Sequence, residues 1–163
     1  MSLVSYRKKR KFKLSKEPID RKKNKAKKQP IFVLQKHNAT HLHYDFRIEI
    51  KGVLKSWAIP KNIPKTTKVK RLAMLTEDHP MEYAKFEGII PKGNYGAGSV
   101  KIVDKGTYEN IKKDKNGKII PMSKCFKSGQ IEFFLKGKKL NGPYALINFK
   151  DKKSWLIIKM KKR

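Results

Sequence analysis

Acidic residues are scarce in this sequence. Its 163 residues include 13 Asp or Glu against 42 Lys or Arg, which gives a formal net charge of +29 at pH 7. Such an excess goes well beyond what solubility requires and predicts a polyanionic partner. Nucleic acid is the first candidate for that partner, and an anionic membrane surface is the second.

Long apolar runs and cysteines are also lacking. No stretch approaches the roughly 20 residues that a transmembrane helix needs, no basic amphipathic helix is evident, and the first residues contain no apolar signal core. We therefore expect no membrane partner and a cytoplasmic protein, associated with the nucleoid through its charge. Cys125 is the only cysteine, which excludes an internal disulfide and a cysteine-rich zinc site.

Arginine is the minor cation, with six residues among the 42 basic ones. Arg47 and Arg71 are the two that fall inside segments expected to fold. Where lysine is the default, an arginine in a folded segment favours a site that needs a planar, bidentate fork for phosphate or carboxylate.

The charge divides the chain into two parts, which we predict as an arm and one domain. Residues 1–30 contain 13 Lys or Arg, and Glu17 and Asp20 are their only acids. They have too few apolar side chains for a core of their own. We expect a basic N-terminal arm over 1–30, partly packed on the body or solvated, and a single domain over 31–163.

From Ile31 onward, short runs rich in Val, Ile, Phe, Tyr and Trp are separated by turn residues. This pattern predicts a mainly all-β fold, a compact closed β-barrel of about eight short antiparallel strands with few short helices, because closure also removes exposed strand edges. One short helix is expected near 121–128. The glycine-rich IPKGNYGAGSV is interpreted as a tight turn, since no Gly-Lys-Ser/Thr and no helix follow it. The candidate strands are 31–37, 41–50, 53–59, 71–77, 83–90, 98–110, 130–140, 143–150 and 154–161.

Three of the four histidines lie in HNATHLHYDFR, residues 37–47. The strict alternation from His41 to Ile50 predicts a strand with an apolar face and a polar face, and His41, His43, Asp45, Arg47 and Glu49 share the polar one. His43 and Asp45 would be roughly 6 to 7 Å apart at Cα. The short link after His37 can return that residue beside them. Two imidazoles and a carboxylate suit a divalent transition metal and leave positions open for a phosphate oxygen. Surface histidines, or histidines that stack on bases, are the alternatives.

The polar face continues to Arg47, which could neutralise charge on a phosphoryl group beside a metal. His79, in a loop made rigid by Pro80, could protonate a leaving oxygen, and Tyr83 could donate a hydrogen bond or be a core or rim aromatic. Glu77 could orient other site residues or contact a 2′-hydroxyl of the substrate.

Two long stretches carry a resemblance to a known family. FVLQKHNATHLHYDFRIEIKGVLKSWAIPK and RLAMLTEDHPMEYAKFEGIIPKGNYGAGSV, with the closing WLIIK, resemble the 3′-phosphoesterase domain of bacterial DNA ligase D and its free-standing archaeal and bacterial relatives. The resemblance covers essentially residues 10–160. It implies a compact β-barrel enzyme that uses manganese, or zinc or another divalent transition metal in its place. The implied reactions remove a 3′-terminal ribonucleoside to leave a 3′-phosphate and then hydrolyse that phosphate to a 3′-hydroxyl.

The resemblance also implies roles for individual residues. His37, His43 and Asp45 match the metal ligands, and Arg47, His79 and Tyr83 match the residues around the scissile phosphate. Further matches on the substrate or phosphate are Gln35, Lys61 and Arg71, and those tied mainly to the ribonucleoside step are Arg10, Glu17 and Glu77. Lys11 stands where the family usually has an acid, which puts a role of that acid in doubt.

The implied partners are DNA or DNA/RNA 3′ ends at primer-template junctions, with a separately encoded ligase and polymerase, and the protein is expected to be a monomer. Two other functions remain open. One is a non-catalytic basic nucleic-acid-binding barrel. The other is a phosphoesterase for small nucleotides, which a net charge of +29 disfavours.

Overall fold

The computed structural model describes residues 29–161. The predicted arm therefore lies outside the described residues except for its last two positions, and so do Arg10, Lys11 and Glu17. Among the described residues, no helix is long and apolar enough to cross a membrane.

Eight antiparallel strands form a closed barrel, as the sequence predicted. Their order is β1-β2-β3-β4-β9-β8-β7-β6, and pairing of β6 with β1 closes the sheet. A ninth short strand, β5, pairs with the start of β6. The strands are β1 (Ile31–Asn38), β2 (Leu42–Ile50), β3 (Val53–Ile59), β4 (Lys70–Leu75), β5 (Gly88–Ile90), β6 (Gly98–Asn110), β7 (Gln130–Gly137), β8 (Asn141–Asn148) and β9 (Ser154–Lys159).

Apolar side chains at every second strand position fill the barrel interior. Phe46 of β2 stacks on Phe133 of β7 with ring centroids 5.7 Å apart, and Trp57 of β3 meets Trp155 of β9 edge to face at 5.4 Å. These rings belong to one buried cluster that spans the barrel. The alternation read from residues 41–50 therefore assigned the core face of β2 correctly, apart from Leu42, which is 47% exposed at the strand end.

The polar face of β2 is buried too, because a second layer covers that side of the barrel. Every residue from Asp45 to Ile50 is buried. The covering segment includes His79, which exchanges backbone hydrogen bonds with Leu54 of β3. A second apolar cluster fills the space between the segment and the barrel wall; it consists of Val33, Leu54, Met81, Tyr83, Ala84, Phe86, Ile90 and Val100.

The predicted strand over 83–90 is wrong for most of its length. Met81–Lys85 is a 3-10 helix, and only Gly88–Ile90 is a strand. The buried apolar residues of this segment are three positions apart, Met81 with Ala84 and Tyr83 with Phe86. Residues at that spacing point to the same side of a 3-10 helix but to opposite sides of a strand. The helix predicted near 121–128 is present as α1 (Met122–Ser128), which ends at Gly129 with φ 80°.

Candidate metal centre

The candidate metal ligands lie on the outer face of two paired strands. His37 of β1 is directly opposite His43 of β2, and Asp45 is two residues further along β2. His37 Nδ1 is 3.4 Å from Asp45 Oδ2, and His43 Nε2 is 3.3 Å from Asp45 Oδ1. One ligand atom from each residue can be chosen so that all three lie within 4.8 Å of one another. Ligands at the usual bond lengths around one tetrahedral ion are about 3.3 Å apart, so the cluster is close to that spacing.

Hydrogen bonds to backbone carbonyls orient both imidazoles for a cation. His37 Nε2 donates to the Gly96 carbonyl at 2.7 Å, and His43 Nδ1 donates to the His41 carbonyl at 3.0 Å. Since a carbonyl only accepts, these nitrogens carry the ring hydrogens of the neutral imidazoles. The other two nitrogens then face the Asp45 carboxylate as lone pair against lone pair, which requires a proton or a metal ion between them. The donor set therefore fits a divalent transition metal.

The charges around the carboxylate keep it ionised. Burial alone would raise the pKa of Asp45, but the Arg47 guanidinium lowers it, and protons on the facing nitrogens of His37 and His43, present when no metal lies between them, donate hydrogen bonds that lower that pKa further, far below its usual range. The hydrogen bond with Asp45 in turn raises the pKa of His43. Asp45 thus carries a full negative charge at neutral pH, as a metal ligand requires.

Arg47 lies beside the cluster in a fixed orientation. Its Nε donates to Gln35 Oε1 at 2.7 Å, and its NH2 is 3.5 Å from Asp45 Oδ2. Gln35 is itself anchored, because its Nε2 donates to the carbonyls of Tyr83 and Phe86 at 2.9 and 3.1 Å. The guanidinium carbon lies 4.7 Å from the centre of the Tyr83 ring. Gln35 therefore connects the 3-10 helix to the arginine and sets the direction of its fork.

His79 stands on the other side of Arg47. Its Nδ1 is 3.0 Å from the Glu77 carbonyl and 3.3 Å from Arg47 NH1, while its Nε2 is 3.9 Å from Glu77 Oε1. Tyr83 meets the imidazole edge to face at 4.7 Å and is 2% exposed. Tyr83 thus contributes both to the site and to the second apolar cluster. The three candidate metal ligands, Arg47 and His79 therefore form one continuous group of neighbouring side chains.

A cavity of about 300 Å³ opens over these residues. Tyr95 and Gly96 are among the lining residues for which the sequence predicted no role in the site. Both belong to the turn between β5 and β6, which contains the glycine-rich stretch. The signal in the sequence was the cluster of glycines in this turn. The structure shows why a glycine is needed at one of these positions, because Gly96 has φ +76° and a Cβ there would lie 3.3 Å from His37 Cε1.

Two predicted phosphate-binding residues lie elsewhere. Lys61 and Arg71 line a separate cavity with Tyr44 and Lys65, so the structure does not bring them to the metal cluster. Their role stays a prediction, as do those of Arg10 and Glu17, which are outside the described residues. His41 is exposed, and its carbonyl accepts a hydrogen bond from His43 Nδ1, so it lies at the rim of the site.

The fold and the cluster together define a small β-barrel protein with a candidate divalent-metal centre and an adjacent buried arginine. The family model for the DNA ligase D 3′-phosphoesterase domain matches residues 35–148. Because this match covers more than half of the chain, the chain belongs to that family.

Longer relatives contain a similar domain. The chain is 42% identical over 163 residues to the multifunctional non-homologous end joining protein LigD of Pseudomonas aeruginosa, and 45% identical over 159 residues to the protein of that name in Mycolicibacterium smegmatis. It is 43% identical to the multifunctional non-homologous end joining DNA repair protein LigD of Mycobacterium tuberculosis. Each alignment covers 98% of this chain but only 18 to 20% of the relative. The chain thus spans about a fifth of the length of these proteins.

Proposed function

We propose that this protein is a manganese-dependent 3′-phosphoesterase that repairs damaged 3′ ends at DNA breaks. It removes a 3′-terminal ribonucleoside to leave a 3′-phosphate, and it hydrolyses the 3′-phosphate to a 3′-hydroxyl. Membership of the family supports the phosphoester chemistry. The names of the longer relatives support a place in non-homologous end joining.

One observation carries the proposal: a buried carboxylate faces the lone pairs of two imidazoles, with a guanidinium at its side. A structural ion pair would not need two histidines that are each fixed by a backbone carbonyl. An electrophilic site for a phosphate needs this combination, because negative charge on the nonbridging oxygens must be neutralised as the phosphoryl group reacts.

Each residue then has a specific task. His37, His43 and Asp45 hold the divalent metal, which supplies Lewis-acid polarisation of the phosphoryl group. Arg47 forms a bidentate contact with nonbridging oxygens, in an orientation fixed by Gln35. His79 donates a proton or hydrogen bond to the leaving oxygen.

Tyr83 and Glu77 complete the cavity. The Tyr83 ring supports Arg47 and His79, and its hydroxyl is a hydrogen-bond donor for the phosphate. Glu77 lines the cavity next to His79 and can accept a hydrogen bond from the 2′-hydroxyl of a terminal ribonucleoside. The substrates are DNA or DNA/RNA 3′ ends at primer-template junctions. A separate ligase and polymerase use the repaired ends.

The test uses a DNA primer that ends in a single ribonucleotide, annealed to a template and incubated with manganese or with a chelator. We expect the primer to shorten to a 3′-phosphate species that is then converted to a 3′-hydroxyl species. Both steps should stop in chelator. Electrophoresis of the end-labelled strand resolves the two products.

The main rival is a barrel that only binds nucleic acid. It predicts a shifted band for the intact complex and no product with any divalent metal, and that result would exclude the enzyme. A cyclic phosphate at the shortened end would identify the 2′-hydroxyl as the nucleophile of the first step.

A further inference from the structure

A second, larger cavity adjoins the candidate metal centre. It has a volume of about 580 Å³, and we call it the lysine groove. Three residues line both cavities, namely Thr76, Glu77 and Tyr95. The lining of the lysine groove also includes Phe126, Trp155 and three lysines, Lys127, Lys152 and Lys153.

The lysine groove is charged on the side away from the metal centre. Lys127, at the end of α1, and Lys152 and Lys153, in the turn before β9, are all exposed. Glu77 is the only acid among its lining residues, and it lies at the junction with the catalytic cavity. Asp151, next in sequence to Lys152, accepts hydrogen bonds from the backbone of Lys153 and Ser154. That carboxylate therefore holds the turn that presents two of the lysines.

The wall behind the lysines is rigid and aromatic. Phe126 stacks on Trp155 with ring centroids 5.7 Å apart and an interplanar angle of 18°. The Trp155 indole donates to the Lys152 carbonyl at 3.1 Å, which ties the lysine turn to the barrel. Tyr95, 47% exposed, stands where the two cavities meet. A row of cations along a groove is typical of surfaces that follow a nucleic-acid strand, and Tyr95 is the exposed ring beside it, since Trp155 is buried.

We propose that the lysine groove binds the substrate strand on the 5′ side of the scissile phosphate. This inference rests on the proposed function. A terminal ribonucleoside, on the 3′ side, carries no further phosphate, so three lysines would have no anion to bind there. The strand on the 5′ side carries one phosphate per nucleotide, and each lysine can neutralise one of them.

The test compares two triple variants with equal loss of charge. The groove variant is Lys127→Ala, Lys152→Ala, Lys153→Ala. The matched control is Lys105→Ala, Lys115→Ala, Lys118→Ala, since those lysines are also exposed and do not line the lysine groove. Each protein is assayed with manganese on a 3′-phosphorylated oligonucleotide of about 12 nucleotides, within the usual range of strand site sizes, that is annealed as a primer to a longer template, and on thymidine 3′-phosphate.

We expect kcat/KM of the groove variant to fall at least about tenfold on the oligonucleotide and to change less than about twofold on thymidine 3′-phosphate, because only the oligonucleotide reaches the lysines. The control should lose much less on the oligonucleotide. An equal loss by both triple variants, or an equal loss by the groove variant on both substrates, would overturn the inference.

Binding gives a second readout that does not need catalysis. In chelator, fluorescence anisotropy measures how oligonucleotide affinity falls with salt. With the same primer-template, the slope of log K against log salt should become less steep by about 2 to 3 in the groove variant, at about 0.9 per lost phosphate contact on duplex DNA. An unchanged slope would contradict the lysine groove. Absence of turnover by the wild-type protein would instead count against the proposed function, and the salt slope would still decide whether the strand lies in the groove.

Discussion

At the scale of single residues, the site depends on a few contacts that fix side chains before substrate arrives. Gln35 fixes Arg47 through one 2.7 Å hydrogen bond, and Gly96 fixes His37 through another of the same length. Neither Gln35 nor Gly96 needs to touch the phosphate to matter. Such supporting contacts commonly change metal affinity or rate about 10- to 100-fold when they are lost.

Gly96→Ala should weaken metal binding. A Cβ at this position would lie 3.3 Å from His37 Cε1, and the backbone has φ +76°, so the imidazole or the turn must move. We expect manganese affinity to fall about 10- to 100-fold, measured by isothermal titration calorimetry. Gly93→Ala is the control, because Gly93 has φ +89° with nothing within 4 Å of its added Cβ. Equal affinity in both variants would refute the role of Gly96.

Arg47→Lys should slow phosphate hydrolysis about 10²-fold or more, because an ammonium keeps the charge but loses the bidentate fork and the bond from Nε to Gln35. The readout is kcat for phosphate release from a 3′-phosphorylated oligonucleotide. Manganese affinity serves as the control and should change far less than the rate. A lysine variant with the wild-type rate would show that charge alone is sufficient at this position.

At the scale of secondary-structure elements, buried hydrogen bonds fix how the strands connect. Asp104 of β6 is 5% exposed. Its carboxylate accepts the backbone N–H groups of Lys138, Lys139 and Leu140 at 3.1, 3.0 and 2.7 Å. It thereby holds the turn between β7 and β8 against the barrel wall.

Asp104→Asn should lower the free energy of unfolding by about 1–3 kcal/mol, since an amide offers one acceptor oxygen and no charge to three donors. Urea unfolding measures the loss. Asp114→Asn is the control, because Asp114 also accepts two backbone N–H groups but is exposed. A larger loss at Asp114 than at Asp104 would contradict the account.

The sequence predicted these elements where periodicity was clear. The alternation in residues 41–50 identified the core face of β2, and the cluster of His37, His43 and Asp45 followed from the same pattern. The buried state of the polar face did not follow, because it depends on a segment distant in sequence that packs over the barrel. The 3-10 helix Met81–Lys85 did not follow either, because a short apolar run such as residues 83–90 is equally compatible with a strand.

The same distinction, between what local spacing predicts and what depends on contacts distant in sequence, applies to the site residues. Arg47 and His79 come from β2 and from a loop 32 residues away, yet their side chains are 3.3 Å apart. A resemblance supplied that pairing, whereas spacing alone did not. Tyr95 and Gly96 were interpreted only as a turn, because their contribution to the cavity depends on how the turn returns over β1.

At the scale of the whole molecule, the net positive charge and the candidate metal centre have complementary roles. A net charge of +29 attracts a polyanion over a long range. In the proposed function, the buried cluster on the barrel wall acts on one phosphate of that polymer. The lysine groove adjoins the cavity over the candidate metal centre and presents cations beyond it, so in our proposal it links the long-range attraction to the site.

The central claim is that the cluster of His37, His43 and Asp45 makes this protein a metal-dependent phosphoesterase. The most direct test is to measure manganese-dependent phosphate release from a 3′-phosphorylated oligonucleotide for the wild-type protein, His43→Ala and His41→Ala. Thermal unfolding first confirms that the three proteins have the same melting temperature. We expect activity in the wild type and in His41→Ala, a loss of more than about 10²-fold in His43→Ala, and none in chelator. Full activity of His43→Ala, or release that is unaffected by chelator, would contradict the claim.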